Sequence, residues 1–213
     1  MSRGFAAVVS GVLLAGCSVI GVRDGTEEPR YSVTGQVGAI EIRQYGPRIV
    51  AETTIAADED DARSAGFRRI AGYIFGGNKS SSKIAMTAPV AQSGASETIA
   101  MTAPVAQSED TDGRWVVRFF MPAQYSMATL PVPNDERVRL VALPGETMAV
   151  LRFSGLPSIS SVSEKRAELM AALKAGPWQP VGTPVAWYYD PPWTIPFLRR
   201  NEVAVPVSPR HEP

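Results

Sequence analysis

The chain has 213 residues, 45% of them hydrophobic, and its 21 Lys and Arg are matched by 21 Asp and Glu. That length and composition suit one domain, or at most two small ones, with a buried core. The charge balance offers neither a basic surface for nucleic acid nor an acidic one for cationic partners, so no nucleic-acid role is expected. Gly and Pro, at 18 each, imply many turns and favour a strand-rich fold.

The first segment carries Arg3, an apolar run over residues 5–14, and then Leu14-Ala15-Gly16-Cys17. The run is shorter than the roughly 20 residues that span a bilayer but fits the central region of a signal peptide. Leu-Ala-Gly-Cys resembles the bacterial lipobox, whose cysteine thiol takes a diacylglycerol before cleavage and whose new amino group is then acylated, for example with palmitate. Cys17 is the only cysteine, so no disulfide framework competes for it. The expected organisation is a leader over 1–16, a lipid-anchored tether over 17–30, a folded domain over 31–207 and a disordered tail over 208–213. The domain is expected outside the cytoplasm, on the periplasmic side of a bacterial envelope.

From Gln36 onward two runs alternate as strands, with Ile40/Ile42 and Ile49/Ala51/Thr53/Ile55 inward and a turn at Gly46-Pro47. Asp58 then suits the cap of a first helix, with Glu59, Asp60 and Asp61 in the first turn, where the helix dipole favours negative charge. Phe67, Ile70, Ala71 and Ile74 recur at helical spacing until Gly76-Gly77-Asn78 stops the run.

The ten letters IAMTAPVAQS follow twice, at 84–93 and 99–108. In each copy the apolar residues fall on one face of a strand: Ile84, Met86, Ala88 and Val90, then Ile99, Met101, Ala103 and Val105. The odd offset of fifteen lets the copies pair as a hairpin with both apolar faces on one side, Met86 opposite Val105 and Val90 opposite Met101. Pro89 and Pro104 place such strands at an edge or bulge. A tandem duplication carried as a loop is the other reading.

Further strands are expected over 114–122, 137–143 and 147–155, with a turn at Pro144-Gly145. A second helix over 158–174 has Val162, Ala167, Leu169, Met170 and Leu173 on its buried face, and strands over 185–192 and 201–207 close the chain. The second half thus repeats the order of the first, which describes an α+β protein with two helices packed on an antiparallel sheet or open barrel.

Taken in order, EIRQYGP (41–47), the Gly-Phe, Tyr-Ile and Gly-Gly-Asn of the first helix, KIAMTAPV (83–90), RFFMP, FSG, YDPP (189–192) and RRNEV (199–203) resemble the SOUL family of haem-binding proteins. The resemblance covers about residues 31–207, with the first IAMTAPV copy matching the family motif. It implies a pseudo-twofold, twisted antiparallel β-barrel or sheet flanked by two α-helices. It also implies non-covalent binding of haem or a related tetrapyrrole in an apolar groove on the first helix. Carried onto this chain, the groove positions are Ser64, Phe67 and Ala71, with Ile70 and Ile74 beside them by helical spacing. Arg63, Arg68 or Arg69 would reach propionates. Some members place a histidine where this chain has Gln44, and the only histidine here is His211, near the end. Haem is therefore expected unligated or weakly ligated, with Met86, Met101, Tyr45 and Tyr73 as the remaining candidate donors.

No enzyme is expected. The fold lacks a histidine for a Ser-His-Asp relay and a free cysteine nucleophile, and no His/Cys/carboxylate cluster has metal-ligand spacing, so no metal ion is expected. Gly-Gly-Asn-Lys-Ser lacks the order of a phosphate loop. The rivals are a module for another amphipathic or aromatic molecule and an envelope protein that contacts an unknown protein partner. The second would be favoured if several of Trp115, Trp178, Trp187 and Trp193 were exposed together.

Overall fold

Alternation along the strands sorts the hydrophobic residues into three layers, and this sorting builds the molecule. The computed structural model describes residues 25–80 and 96–210. In chain order the elements are β1 (Tyr31–Val37), β2 (Ile40–Tyr45), β3 (Arg48–Ile55), helix α1 (Glu59–Ile74), the short β4 (Asn78–Lys79), β5 (Val105–Glu109) and β6 (Trp115–Phe120). There follow β7 (Val132–Pro133), β8 (Arg139–Leu143), β9 (Glu146–Phe153), helix α2 (Ile159–Lys174), β10 (Trp178–Pro180), β11 (Val185–Tyr188), a 3-10 turn (Pro196–Leu198) and β12 (Asn201–Pro209). Among the described residues no helix is long and apolar enough to cross a membrane.

The main sheet runs β1-β2-β9-β12-β11-β5-β6-β3-β8, with β10 added to β12. Read from its middle, between β11 and β5, the order is the same outward in both directions when β2, β3, β5 and β6 are exchanged for β8, β9, β11 and β12. The pseudo-twofold repeat expected from the sequence is thus a property of the ladder. Tyr45 faces Glu146 where β2 meets β9, and Arg48 faces Leu143 where β3 meets β8. One register therefore continues across both hairpin turns and rolls the twisted sheet up.

On one flank Ile40, Ile42, Ala149, Leu151, Val203 and Val205 pack against Val162, Leu169 and Leu173 of α2. On the other, Ala51, Val117 and Phe119 pack against Ile70, Tyr73 and Ile74 of α1. The residues between them in sequence, among them Tyr45, Val50, Phe120, Met148, Val150, Trp187 and Ala204, fill the interior of the rolled sheet. Both sides of these strands are buried, which is why β3 carries a buried Val50 and Glu52 between its expected inward residues.

Several local expectations change. β1 lies outside the predicted strands: four of its first residues are exposed in a row, so it shows no alternation, and it is held by its ladder to β2. The last part of the expected tether is docked: the Ala103 amide donates to the Glu27 carbonyl (2.9 Å), and Glu28 pairs with Arg200 (3.0 Å). The chain also stays ordered beyond 207. β12 runs to Pro209, and the Arg210 guanidinium donates to the Leu173 and Gly176 carbonyls (3.2 Å each) at the end of α2, where the helix dipole favours a cation. Asp58 precedes α1, but its side chain makes no cap hydrogen bond, whereas the Ser158 hydroxyl caps α2 by accepting from the Ser161 amide. Ala167 is exposed, because α2 meets the sheet through Val162, Leu169 and Leu173, with Met170 packed partly buried beside them.

The expected hairpin of the two IAMTAPVAQS copies has no place on β5. Both of its ladder sides are taken: Val105 faces Phe119 of β6 and Tyr188 of β11. The fold draws its strand from the second copy, where the family motif pointed to the first; residues 84–93 lie outside the described residues. A hinge of side-chain bonds explains how the chain reaches that strand. Asn78 is buried, donates to the Tyr73 (2.7 Å) and Glu97 (2.8 Å) carbonyls and accepts from the Glu97 amide (2.9 Å). Glu97 is thereby fastened to the end of α1, and the second copy begins two residues later, at Ile99.

Candidate functional site

Gly66 sets the height of α1 above the sheet. A β-carbon there would stand 2.5 Å from a Val117 methyl, so the helix can approach β6 this closely only with glycine at that position. The next residue, Phe67, is consequently held at the rim of the helix contact, its ring 5.2 Å from that of Phe119 and 39% exposed. One helical repeat on come Ala71, partly exposed, and Phe75, 59% exposed, with Ser64 exposed on the preceding turn. Ser64, Phe67, Ala71 and Phe75 form one continuous outward stripe at three- and four-residue spacing. Gly72 beside it has open space where a side chain would stand.

Three of the expected groove positions, Ser64, Phe67 and Ala71, thus lie together on the accessible face. Ile70 and Ile74 do not. Both are fully buried against the sheet, because they lie along the edge of the stripe that turns toward the sheet with Tyr73 and Gly66. A molecule resting on the stripe cannot touch them, and their contribution is to hold α1 in place. Phe75, which follows the last helical residue and was absent from the sequence reading, extends the stripe; its i+4 spacing from Ala71 was the available signal.

The arginines separate in the same way. Arg63 is occupied: it pairs with Asp60 (2.6 Å) and sits over the Tyr188 ring at 4.9 Å. Arg69 donates to the Thr53 hydroxyl (2.7 Å) and lies near Asp135. Arg68 is exposed and forms no ion pair among the described residues, so it is the cation beside Phe67 that is open to an anionic partner.

The candidate donors are less available. Met101 is 39% exposed, two residues beyond Ile99, whose amide bonds the Ile74 carbonyl at the end of α1. Met86 and Cys17 lie outside the described residues. The Tyr73 hydroxyl is buried under α1 and donates to the Pro131 carbonyl at 2.8 Å; burial raises its pKa well above the ordinary phenol range. Tyr45 sits in the sheet interior, where burial, opposed by the Arg43 guanidinium, pushes its phenol up to about 12. Neither tyrosine can present a phenolate to the stripe. Gln44, where some SOUL proteins have histidine, is exposed on β2 and bonded to Thr147 (2.5 Å), whereas α1 packs on β3 and β6. Among the described residues no group of three or more His, Cys, Asp and Glu side chains could hold a metal ion.

The motif residues of EIRQYGP, YDPP and RRNEV converge elsewhere, inside the rolled sheet. Glu202 is fully buried and accepts four bonds: two from the Arg43 guanidinium (2.8 and 3.1 Å), one from Arg200 (3.0 Å) and one from the Tyr189 hydroxyl (2.7 Å). Burial alone would raise its pKa; the Arg43 hydrogen bonds and charge, the Arg200 charge and the Tyr189 bond outweigh it and hold the carboxyl below its ordinary range. A second carboxylate, Glu52, is gripped by Arg118 (2.9 Å) and Arg139 (2.8 Å). Near the turn that follows β2, Arg48 lies over the Tyr45 and Phe120 rings at 4.4 and 5.2 Å and donates to Glu146. It borders a shallow surface indentation that Glu28, Pro29 and Trp187 also line. The Glu202 and Glu52 clusters are structural, their charges spent on one another, whereas the Nε and Nη1 of Arg48 are buried beside the indentation without a hydrogen-bond partner among the described residues.

Comparison with known proteins agrees with this architecture. The family model described as SOUL heme-binding protein matches residues 26–206. Heme-binding protein 2 of Homo sapiens is 29% identical over 140 residues, 65% of this chain and 63% of that protein. Heme-binding protein 2 of Mus musculus is 36% identical over 81 residues, 33% of this chain and 40% of that protein. The match thus spans less than two thirds of the length of either relative. Among solved structures, the EcmrR C-terminal domain superposes with a TM-score of 0.57 at 13% identity, over 84% of this chain and 99% of that one. An uncharacterized conserved protein from Listeria innocua gives 0.52 at 15% identity, over 79% and 92%. At such identities the likeness is one of fold alone.

Proposed function

The chain belongs to the SOUL heme-binding family, and from that premise we propose that it is a lipid-anchored envelope protein that captures haem or a related tetrapyrrole on the outer stripe of α1. The observation that carries this reading is the juxtaposition of two exposed phenylalanines, Phe67 and Phe75, with Arg68, which forms no ion pair among the described residues, on a helix positioned by Gly66 and Asn78. The relatives named heme-binding protein 2 make a tetrapyrrole the ligand of choice.

A tetrapyrrole, when bound, supplies a flat apolar macrocycle, carboxylate arms and, in haem, an iron centre. The residues of the stripe fit the first two. Phe67, Ala71 and Phe75 offer apolar surface, and each aromatic side chain gains from leaving water. Arg68 offers guanidinium donors to a carboxylate. Nothing on the stripe fits iron, since Tyr73 and Tyr45 are buried and protonated. Capture through the macrocycle follows, with weak ligation from Met101 at most, and the role is binding rather than catalysis. The lipobox-like Leu14-Ala15-Gly16-Cys17 supports attachment of the domain to a membrane through acylated Cys17.

Absorbance titration of hemin and of protoporphyrin IX into protein beginning at Ser18 tests the reading. Saturable binding of both at similar affinity, lost in Phe67→Asp and weakened in Arg68→Glu, is the expected result. Saturable binding that neither substitution alters would move the site off α1, and no saturable binding would remove the tetrapyrrole.

A further inference from the structure

The largest exposed aromatic side chains stand far from α1 in sequence, in the loop between β11 and β12. Trp193 is 63% exposed and Phe197 is 73% exposed, and Leu156, in the loop before α2, is 60% exposed. The two loops abut, because the Gly155 amide donates to the Pro196 carbonyl at 3.0 Å, and Ile159 and Leu198 add further exposed apolar surface. The other three tryptophans are buried or half-buried, so they make no shared patch with Trp193.

This loop is built rather than loose. Thr194 is buried, its amide donating to the Pro191 carbonyl at 3.1 Å. The Arg199 guanidinium donates to the Thr194 carbonyl at 2.8 Å and also to that of Pro192. A fixed loop that holds Trp and Phe outward pays little ordering entropy when they are buried by a partner surface.

The start of the described chain identifies the partner. Glu28 pairs with Arg200, the residue at the base of this loop, at 3.0 Å. The chain therefore enters the domain at the base of the loop that carries Trp193 and Phe197. Cys17 precedes Gly25 by eight residues, at most roughly 26–29 Å of extended chain. An acylated Cys17 would keep Gly25 within that distance of a bilayer, and with it the base of this loop close to the membrane, and Trp and Phe are the side chains that settle at the boundary of headgroups and acyl chains.

We propose that the loops carrying Leu156, Trp193, Phe197 and Leu198 form a second membrane contact that inserts into the bilayer interface and orients the domain on it. This rests on the lipid-anchor reading for its geometry but not for its chemistry. The charges at the base are spent internally: Arg200 on Glu28 and Glu202, Arg199 on backbone carbonyls. The contact is consequently apolar and should need neither anionic lipid nor low salt.

The test uses protein beginning at Ser18, which retains every described residue but has no acyl chains, mixed with phosphatidylcholine vesicles with and without phosphatidylglycerol. Partitioning should be weak and indifferent to anionic lipid and salt. It should fall by about tenfold or more in W193A/F197A, with unchanged circular dichroism, since each ring buries most of an aromatic side chain. Lipids brominated on the acyl chains should quench a fluorescence component that Trp193→Phe removes. Equal partitioning of both proteins, or no quenching of that component in acylated full-length protein on the same vesicles, would overturn the proposal. So would a dimer in solution that W193A/F197A dissociates, which would assign the face to self-association. The mass of the Cys17 peptide reads the anchor separately: an unmodified Cys17 with Trp193 quenched removes the anchor alone, and an acylated Cys17 with Trp193 unquenched removes the loop contact alone.

Discussion

Arg43 and Glu202 meet inside the rolled sheet through two hydrogen bonds of 2.8 and 3.1 Å, 159 positions apart in sequence and both almost completely withdrawn from solvent. They tie β2 to β12 across the intervening β9, and each would be a serious liability without the other.

Removing one partner should therefore be costly. Glu202→Gln takes from the Arg43 and Arg200 guanidiniums the buried counter-charge they share, leaving them only the more exposed Glu41 and Glu28, and a loss of about 3–5 kcal/mol is expected for breaking a buried pair this way. Urea unfolding at neutral pH measures it. A loss below about 1 kcal/mol would mean that water reaches the cluster and that it behaves as a surface pair.

The same cluster sets the pH limits of the fold. The Glu202 carboxyl is held below its ordinary value of 4.5, so its contribution is complete above that value and is lost as pH falls through the lower folded one. Tyr45 runs the other way. Its folded value, pushed up to about 12 by burial, exceeds the ordinary 10.0, so its contribution is intact below 10.0 and disappears as pH rises through about 12. Denaturant midpoints measured across pH should decline at both ends, and Glu202→Gln should flatten the acid limb while altering the alkaline one less, since burial is the largest cause of the Tyr45 shift and the Glu202 charge a smaller one.

The close approach of α1 to β6 makes a sharper packing prediction. Gly66→Ala brings a β-carbon to 2.5 Å from a Val117 methyl and 2.6 Å from the Val117 Cβ, a contact that turning the side chain cannot relieve. Overpacking of this kind costs about 1–3 kcal/mol. Val117→Ala in the same chain should recover part of that loss in a double-mutant cycle by thermal unfolding; strict additivity would show that α1 moves bodily instead.

Asn78 is the remaining test. Asn78→Ala removes three hydrogen bonds between the end of α1 and Glu97. At roughly 1 kcal/mol each, with buried carbonyls left unpaired, a loss of about 2–4 kcal/mol is expected. Amide exchange at Glu97 and Ile99 should accelerate ahead of the rest of the sheet, because those amides are held through this clamp.

Much of the architecture was legible because it depends on period. Ile40 and Ile42, Ile70 and Ile74, and Val162, Leu169 and Leu173 all announce their buried faces by spacing alone, and the helix stop at Gly76-Gly77-Asn78 follows from local backbone preference. β1 was not legible, since an edge strand with exposed residues on both faces carries no alternation. The partner of the repeated segment was equally hidden. Parity allowed a hairpin between the two copies, but pairing is settled by which strands compete for the same edge, and β6 and β11 take both edges of β5.

For the site, the residues by themselves determined the character of α1: an amphipathic helix with Phe67 among apolar neighbours and arginines close by. Only the tertiary structure decided which of them can meet a ligand. Ile70 and Ile74 differ from Phe67 by less than half a turn, yet the sheet covers one side of the helix and leaves the other. Arg63 and Arg69 look like Arg68 until Asp60, Tyr188 and Thr53 occupy them. Arg43, Arg200 and Glu202, which lie in two of the stretches that carry the family resemblance, are spent on holding the sheet together, because a charge carried into the interior must find its partner there.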